Sequence, residues 1–274
     1  MIDYKDVTIV IPHLGGNNES EYSLGECLKS LEETAPRIKI LVANNGSGCV
    51  SHVGRADIRI KDQGQCKAVN AAVAMTDTPW VFVTNDDMIY PPGWFEKLIL
   101  DGDPYYEMCI SPKLVEPRPG APTFIVEFCG GAGGDFDKKK FLDFVDNYQG
   151  DRFYKSGFNL PFLIKRDLWD LVGGYDINYD PWGSNGDSDL EYKIKLAGAQ
   201  PYQAQDSLVY HFSQTSGTFT PENDSFRFRN YAYFKEKWGF DRTDDGIWEA
   251  TFNIPTKEEG RIFNPDWEGK YGRS

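Results

Sequence analysis

A short apolar run that stops on acid constrains this chain most. Val81-Phe82-Val83, with Trp80 before it, reads as a strand buried on both faces. It ends in Thr84-Asn85-Asp86-Asp87-Met88, and Tyr90-Pro91-Pro92-Gly93 cannot continue it. A buried strand that delivers two carboxylates to its C-terminal end puts them where open α/β sheets place ligands. Adjacent carboxylates repel each other unless positive charge lies beside them, and hard oxygen donors suit Mg²⁺ or Mn²⁺. The plainer alternative is a strand-end turn or a helix cap before Pro91-Pro92.

The preceding segments make the sheet predictable. Val7-Thr8-Ile9-Val10-Ile11-Pro12 is a β-branched run closed by proline, a first parallel strand. Leu24, Cys27, Leu28 and Leu31 recur at helical spacing; 38–43 and 58–60 read as strands, and 64–73 as a helix stopped by Thr78-Pro79. Strand and helix alternate, so the expected fold is α/β: a Rossmann-like, mostly parallel, doubly wound sheet flanked by helices. His13, Asn44-Asn45 and Asn85-Asp86-Asp87 follow strand ends, so their loops converge on one edge and on one nucleotide-sized ligand. No Gly-x-Gly-x-x-Gly follows the first strand and no Gly-Lys-Ser/Thr loop exists, which removes dinucleotide oxidoreductase and P-loop readings.

Past Asp87 the spacing predicts a short helix over 94–99 and strands at 109–115, 160–164 and 207–211. Helices are expected over 166–172, from Asp187 to Gly198, and over 225–238. Residues 117–150, rich in Gly, Pro and charge, read as a loop-dominated insertion, either a surface excursion or a substrate contact. Asp187 and Asp189 open a helix, where acids also serve as plain caps, and a lone histidine such as His211 at a strand end is more often structural than metal-bound. Arg227, Arg229, Lys235 and Lys237 interleave with aromatics over 225–238: either a helix packed on the sheet or a basic, aromatic acceptor surface.

Charge bounds the partners. The 274 residues carry 29 basic against 42 acidic side chains, net -13, so nucleic acid is the least favoured acceptor and anionic membrane is repelled. Five scattered cysteines fit free thiols in a reducing compartment. No apolar run approaches the ~18 residues of a membrane span and Met1–Asp6 is no signal peptide, so a soluble, cytoplasmic protein is expected.

In motif order and strand context, residues 7–240 resemble a family 2 glycosyltransferase of GT-A fold. Val7–Pro12 is similar to the family's first strand, Val42-Ala43-Asn44-Asn45-Gly46-Ser47 to its Val-Val-Asp-Asn-Gly-Ser element, and Gly64–Asn70 to its Gly-x-x-x-Ala-x-Asn helix start. Asn85-Asp86-Asp87 stands at the Asp-x-Asp position, and Gly173-Gly174-Tyr175-Asp176 matches Gly-Gly-Phe-Asp. Trp182–Asp189 matches Trp-Gly-x-Glu-Asp-x-Asp, and His211 a late histidine. Two departures matter: Asn44 stands for the base-reading Asp, with an amide oxygen still able to accept from uracil, and Gly186 stands for the Glu beside Asp187.

The resemblance implies one GT-A domain over 1–240, a nucleotide-binding half at about 1–100 and an acceptor half at about 101–240, with a C-terminal extension at 241–274. It implies a metal-dependent, inverting single displacement from a nucleotide-diphosphate sugar, UDP-sugar foremost, to a glycan, lipid-linked sugar or other hydroxyl. Mn²⁺ or Mg²⁺ would sit on Asp87 and His211, and Asp187 would be the base. Donor contacts would come from Pro12, His13, Asn44, Gly64, Lys67, Asn70, Asn85 and Asp86. Acceptor contacts would come from Trp182, Asp189, Arg227 and Arg229, and a lid from the segment after His211. A sugar-binding module without turnover and a nucleotidyltransferase of similar fold are the competing readings.

Overall fold

The structure is a computed structural model that describes residues 2–46, 56–60, 64–99, 109–119, 124–213, 215 and 220–239. Ser47, the presumed lid at 214 and 216–219, and the extension at 241–274 lie outside the described residues. The strands are β1 (Val7–His13), β2 (Lys39–Asn44), β3 (Ile58–Arg59), β4 (Trp80–Val83), β5 (Met88–Ile89), β6 (Cys109–Glu116), β7 (Ile125–Val126), β8 (Tyr154–Ser156), β9 (Phe162–Lys165) and β10 (Tyr202–His211). They form one sheet in the order β3-β2-β1-β4-β9-β6-β10-β5, with β7 beside β6 and β8 beside β10. The first four strands run parallel, β9 is antiparallel to both its neighbours, and β10 runs parallel to β6.

Side-chain alternation explains why both sheet faces close. On β1 and β4, Ile9, Ile11 and Phe82 enter a core with α1 (Asn18–Thr34) and α3 (Trp94–Leu98). Val10, Val81 and Val83 enter the opposite core with α2 (Gln65–Ala74), α5 (Arg166–Val172), α6 (Gly186–Leu196) and α7 (Asp224–Trp238). Phe82 is fully buried, and truncating such a side chain costs about 3–5 kcal/mol. Asn17 starts α1 by accepting the Ser20 amide at 2.8 Å, after which Leu24, Cys27, Leu28 and Leu31 form its buried stripe.

Two expectations need correction. The insertion at 117–150 contains β7 and an amphipathic helix, α4 (Lys138–Asn147), whose Phe141 and Val145 are buried in a third core with Tyr210 and Phe212. Its start is capped by Asp137, which accepts the Lys140 amide at 2.9 Å. The Lys138-Lys139-Lys140 run faces outward and disguised a helix that has only two fully buried positions. The last strand starts at Tyr202 rather than Ser207, because a bulge at Gln205–Ser207 interrupts the polar-apolar alternation.

Candidate active site

Strand β4 stops at Val83 because the chain turns at Asp86-Asp87 before pairing again as β5. The two carboxylates separate, and each meets its own histidine. His13, at the end of β1 and fully buried, places Nδ1 2.6 Å from Asp86 Oδ2 and Nε2 3.4 Å from Glu21 Oε1. Burial opposes an imidazolium there, but Asp86 and Glu21 outweigh it and raise the His13 pKa. Burial pushes the Asp86 carboxyl up as well, against the pull of His13.

His211 ends β10 with Nε2 3.3 Å from Asp87 Oδ2 and Nδ1 2.6 Å from Glu116 Oε1. Burial again works against the charged ring, yet Asp87 and Glu116 prevail and push its pKa up to about 10. Backbone pairing brings the two partners together: Met88 lies opposite His211 in the β5–β10 ladder, and the Phe212 amide donates to the Asp87 carbonyl at 3.0 Å. Thr215 Oγ1 donates to Asp87 Oδ2 at 3.3 Å, while Asp87 Oδ1 is buried with no hydrogen-bond partner among the described residues. An orphaned carboxylate oxygen beside an imidazole nitrogen whose far side is held by Glu116 is a donor set that fits Mn²⁺ or Mg²⁺. Among the described residues no group of three or more His, Cys, Asp or Glu side chains has metal-holding geometry.

The expected donor residues fall into two groups. Pro12, His13 and Asn44 sit at the parallel strand ends in register, Pro12 beside Ala43 and His13 beside Asn44. Asn44 Oδ1 accepts the Gly46 amide at 3.2 Å and its Nδ2 is buried without a partner among the described residues. As oriented, the amide therefore offers a donor, whereas the expectation was an acceptor for uracil. Asn85 Oδ1 accepts from Gln65 Nε2 at 3.3 Å, which ties the acidic turn to the start of α2.

Gly64, Lys67 and Asn70 have a second employment. The Asp180 carboxylate caps α2 from a distant loop, accepting the Cys66 amide at 2.8 Å and the Lys67 amide at 3.0 Å. A Cβ on Gly64 would lie 2.3 Å from Asp180 Oδ2, so only glycine admits this cap. Asn70 uses both ends of its amide on the Tyr175 backbone, donating to its carbonyl at 2.7 Å and accepting from its amide at 3.0 Å. Lys67 is half-buried with its chain directed from the same helix turn.

On the acceptor side, Asn185 adopts φ 68°, a left-handed conformation that asparagine tolerates, and so turns the chain into α6. Asp187 lies in the first turn of α6, half-buried, and accepts a hydrogen bond from the Tyr175 hydroxyl at 2.5 Å. Asp189, expected among acceptor contacts, is instead fully buried: Trp238 Nε1 donates to it at 2.8 Å, and Lys237 and Lys193 lie 2.7 and 3.3 Å away. That enclosure leaves no face for an acceptor. Arg229, although exposed, is tied to the protein, donating to the carbonyls of Asn178 and Asp180 and to Asn230 Oδ1. Arg227 pairs with Asp224 at 3.2 Å on the surface, and Trp182 meets Phe226 edge-on at 6.3 Å.

Sequence reasoning missed Glu21, Glu116, Tyr175 as a side chain, and Asp180. Glu116 repeats the acid-at-strand-end signal of Asp87 and could have been found by it. Glu21 is hidden in a helix's first turn, where acids are commonplace.

Residues 8–101 match the family model described as Glycosyl transferase family 2. The search of curated proteins gives no match. Among solved structures, the chain is similar to GalNAc-T7, crystallised with UDP, GalNAc and Mn²⁺, at 14% identity and a TM-score of 0.62. The alignment covers 96% of this chain and 55% of that one, so the chain spans little more than half of the relative's length. At that identity the likeness shows the fold, which is GT-A: a mixed α/β architecture around a mostly parallel sheet.

Proposed function

From a chain whose residues 8–101 match the family 2 glycosyl transferase model, we propose a metal-dependent glycosyltransferase acting on a nucleotide-diphosphate sugar. The observation that carries the reading is the pairing of Asp87 with His211 across the β5–β10 ladder, with Asp87 Oδ1 left buried and unpartnered among the described residues. A UDP-sugar is the leading donor. Asp86, held by His13, and Asn85, held by Gln65, line the donor's ribose and sugar side of the acidic turn.

A divalent cation on Asp87 and His211 would supply charge neutralisation for a diphosphate leaving group. Glu116 fixes the His211 ring so that Nε2 faces Asp87. Asp187 takes the proton of the acceptor hydroxyl as that oxygen attacks the anomeric carbon in line with the departing diphosphate, an inverting single displacement. General-base help of this kind is worth about 10²–10⁴-fold. Trp182 and Phe226 offer aromatic faces to an acceptor sugar beside Asp187.

Asp187→Asn keeps the shape and removes the basicity. With a UDP-sugar panel and Mn²⁺, donor affinity is expected to hold while turnover falls by at least about 10²-fold. Near-normal turnover in that variant would remove Asp187 from the role. A chain that binds the panel with Mn²⁺ yet neither hydrolyses nor transfers would be the non-catalytic module.

A further inference from the structure

Tyr175 stands in the third position of the Gly-Gly-Tyr-Asp segment, where its ring is almost fully buried and its hydroxyl reaches across to the start of α6. Three neighbours fix that ring. Asn70 clamps the Tyr175 backbone from both sides, Trp169 packs edge-on at 5.7 Å, and Phe162 stands edge-on at 6.5 Å. Gly174 before it has φ 61° and a Cβ there would lie 2.8 Å from Asn70 Oδ1, so the approach depends on glycine. The second glycine is Gly186. A Cβ on it would lie 3.5 Å from Tyr175 Cδ1 and 3.4 Å from Cys66 Sγ, ordinary contact distances, so the ring of Tyr175 lies directly against the residue that precedes Asp187. The chain combines glycine at one position with a tyrosine hydroxyl at the other.

We propose that Tyr175 is a positioning residue for Asp187, its hydroxyl holding Oδ1 in a fixed place and orientation at the start of α6. The inference rests on the reading of Asp187 as the base. The phenol keeps its proton: burial and the adjacent carboxylate push its pKa well above the usual tyrosine value. A neutral donor at 2.5 Å favours the ionised carboxylate and restricts its rotamers. From α2 the carboxylate is faced by the Cys66 thiol, pushed well up by burial and by Asp180, Asp187 and Asp189, so it too is uncharged at working pH. Because Asn70 belongs to the donor half, Tyr175 also carries the placement of the base back to α2.

The test compares Tyr175→Phe with the parent chain and Asp187→Asn, using Mn²⁺-dependent UDP-sugar hydrolysis for turnover and ¹³C-carboxyl NMR of Asp187 as a readout independent of it. The Phe variant is expected to keep donor KM and thermal stability, to lose about 10-fold in kcat, and to titrate Asp187 at higher pH, moving the acid limb of the kcat profile with it. Tyr175→3-fluorotyrosine, a stronger donor of the same shape, should move the titration the opposite way and keeps the test decisive if the Phe variant folds poorly. An Asp187 titration unmoved in both variants overturns the proposal and returns Tyr175 to core packing. Retained turnover in Asp187→Asn would instead sink the base assignment, and the carboxyl titration would still decide the Tyr175 contact by itself.

Discussion

At the scale of single residues, side chains that look equivalent in sequence do different work. Arg227 and Arg229 sit two apart in one helix, yet the first pairs with Asp224 at the surface and the second ties down two carbonyls of the 178–180 loop. Arg229→Ala is therefore expected to cost about 1 kcal/mol in urea denaturation through its lost carbonyl contacts, and Arg227→Ala about half that, since a single surface ion pair contributes little. Equal losses would mean that the carbonyl contacts of Arg229 are incidental. The adjacent acids of the turn divide in the same way. Asp87→Asn should weaken Mn²⁺ binding, read by electron paramagnetic resonance without turnover, by at least about 10-fold, and Glu116→Gln by a smaller factor through His211. Unchanged Mn²⁺ affinity in Asp87→Asn would sink the metal assignment.

At the scale of elements, α7 packs its aromatics on the sheet, as one of the two expectations for it had it. Its Phe234 and Trp238 are buried and its Lys237 is drawn into a cluster with Asp176 and Asp189, both at 2.7 Å. Burial works against an ionised Asp176, but the Lys237 ammonium and the Asn178 amide outweigh it and hold its pKa at about 2, against an ordinary 3.8. A depressed folded-state value stabilises above the unfolded pKa near 4 and is lost as pH falls toward 2, so the group contributes roughly 2 kcal/mol at neutral pH. Asp176→Asn should lower stability by about that amount at pH 7 and flatten the loss between pH 4 and 2. A pH dependence identical to the parent's would show that Lys237 is held by Asp189 alone.

Elements also show what the sequence could and could not say. Strands with β-branched runs, such as β1 and β4, announced themselves, as did α1 through its four-residue stripe. Helix α4 did not, because two buried residues among lysines carry too weak a period, and β10 did not in full, because its bulge breaks alternation. The strand-end acids were legible because their position alone has chemical meaning. Asp180 and the Tyr175 hydroxyl were not, because their partners lie on α2 and α6 and become neighbours only through tertiary packing.

At the scale of the whole molecule, α2 fastens the acidic turn after β4 to the 175–180 segment. Asp180 holds its first amides, Asn70 grips the Tyr175 backbone, and Gln65 reaches Asn85. Asp180→Ala leaves two helix amides without their acceptor and should cost about 2–4 kcal/mol. Turnover is expected to drop more than donor affinity, since the 174–187 segment that carries Asp187 loses its anchor. A calorimetric melting temperature within a degree of the parent's would show that water replaces the cap at little cost.

The placement of His211 has a consequence for length changes along the chain. It is set by the pairings after the bulge, with Met88 of β5 and with β6 from Lys113 to Val115, rather than by the register of Tyr202–Ala204 before it. The bulge acts as a slack loop inside a strand. A residue gained or lost there is absorbed before it reaches the centre, whereas the same change between Leu208 and His211 exchanges the imidazole for a neighbouring tyrosine or phenylalanine and turns it to the other face. Length is thus tolerated only within residues 205–207, because Tyr202–Ala204 on one side are in register with β6 and β8 and Leu208–Tyr210 on the other with β6.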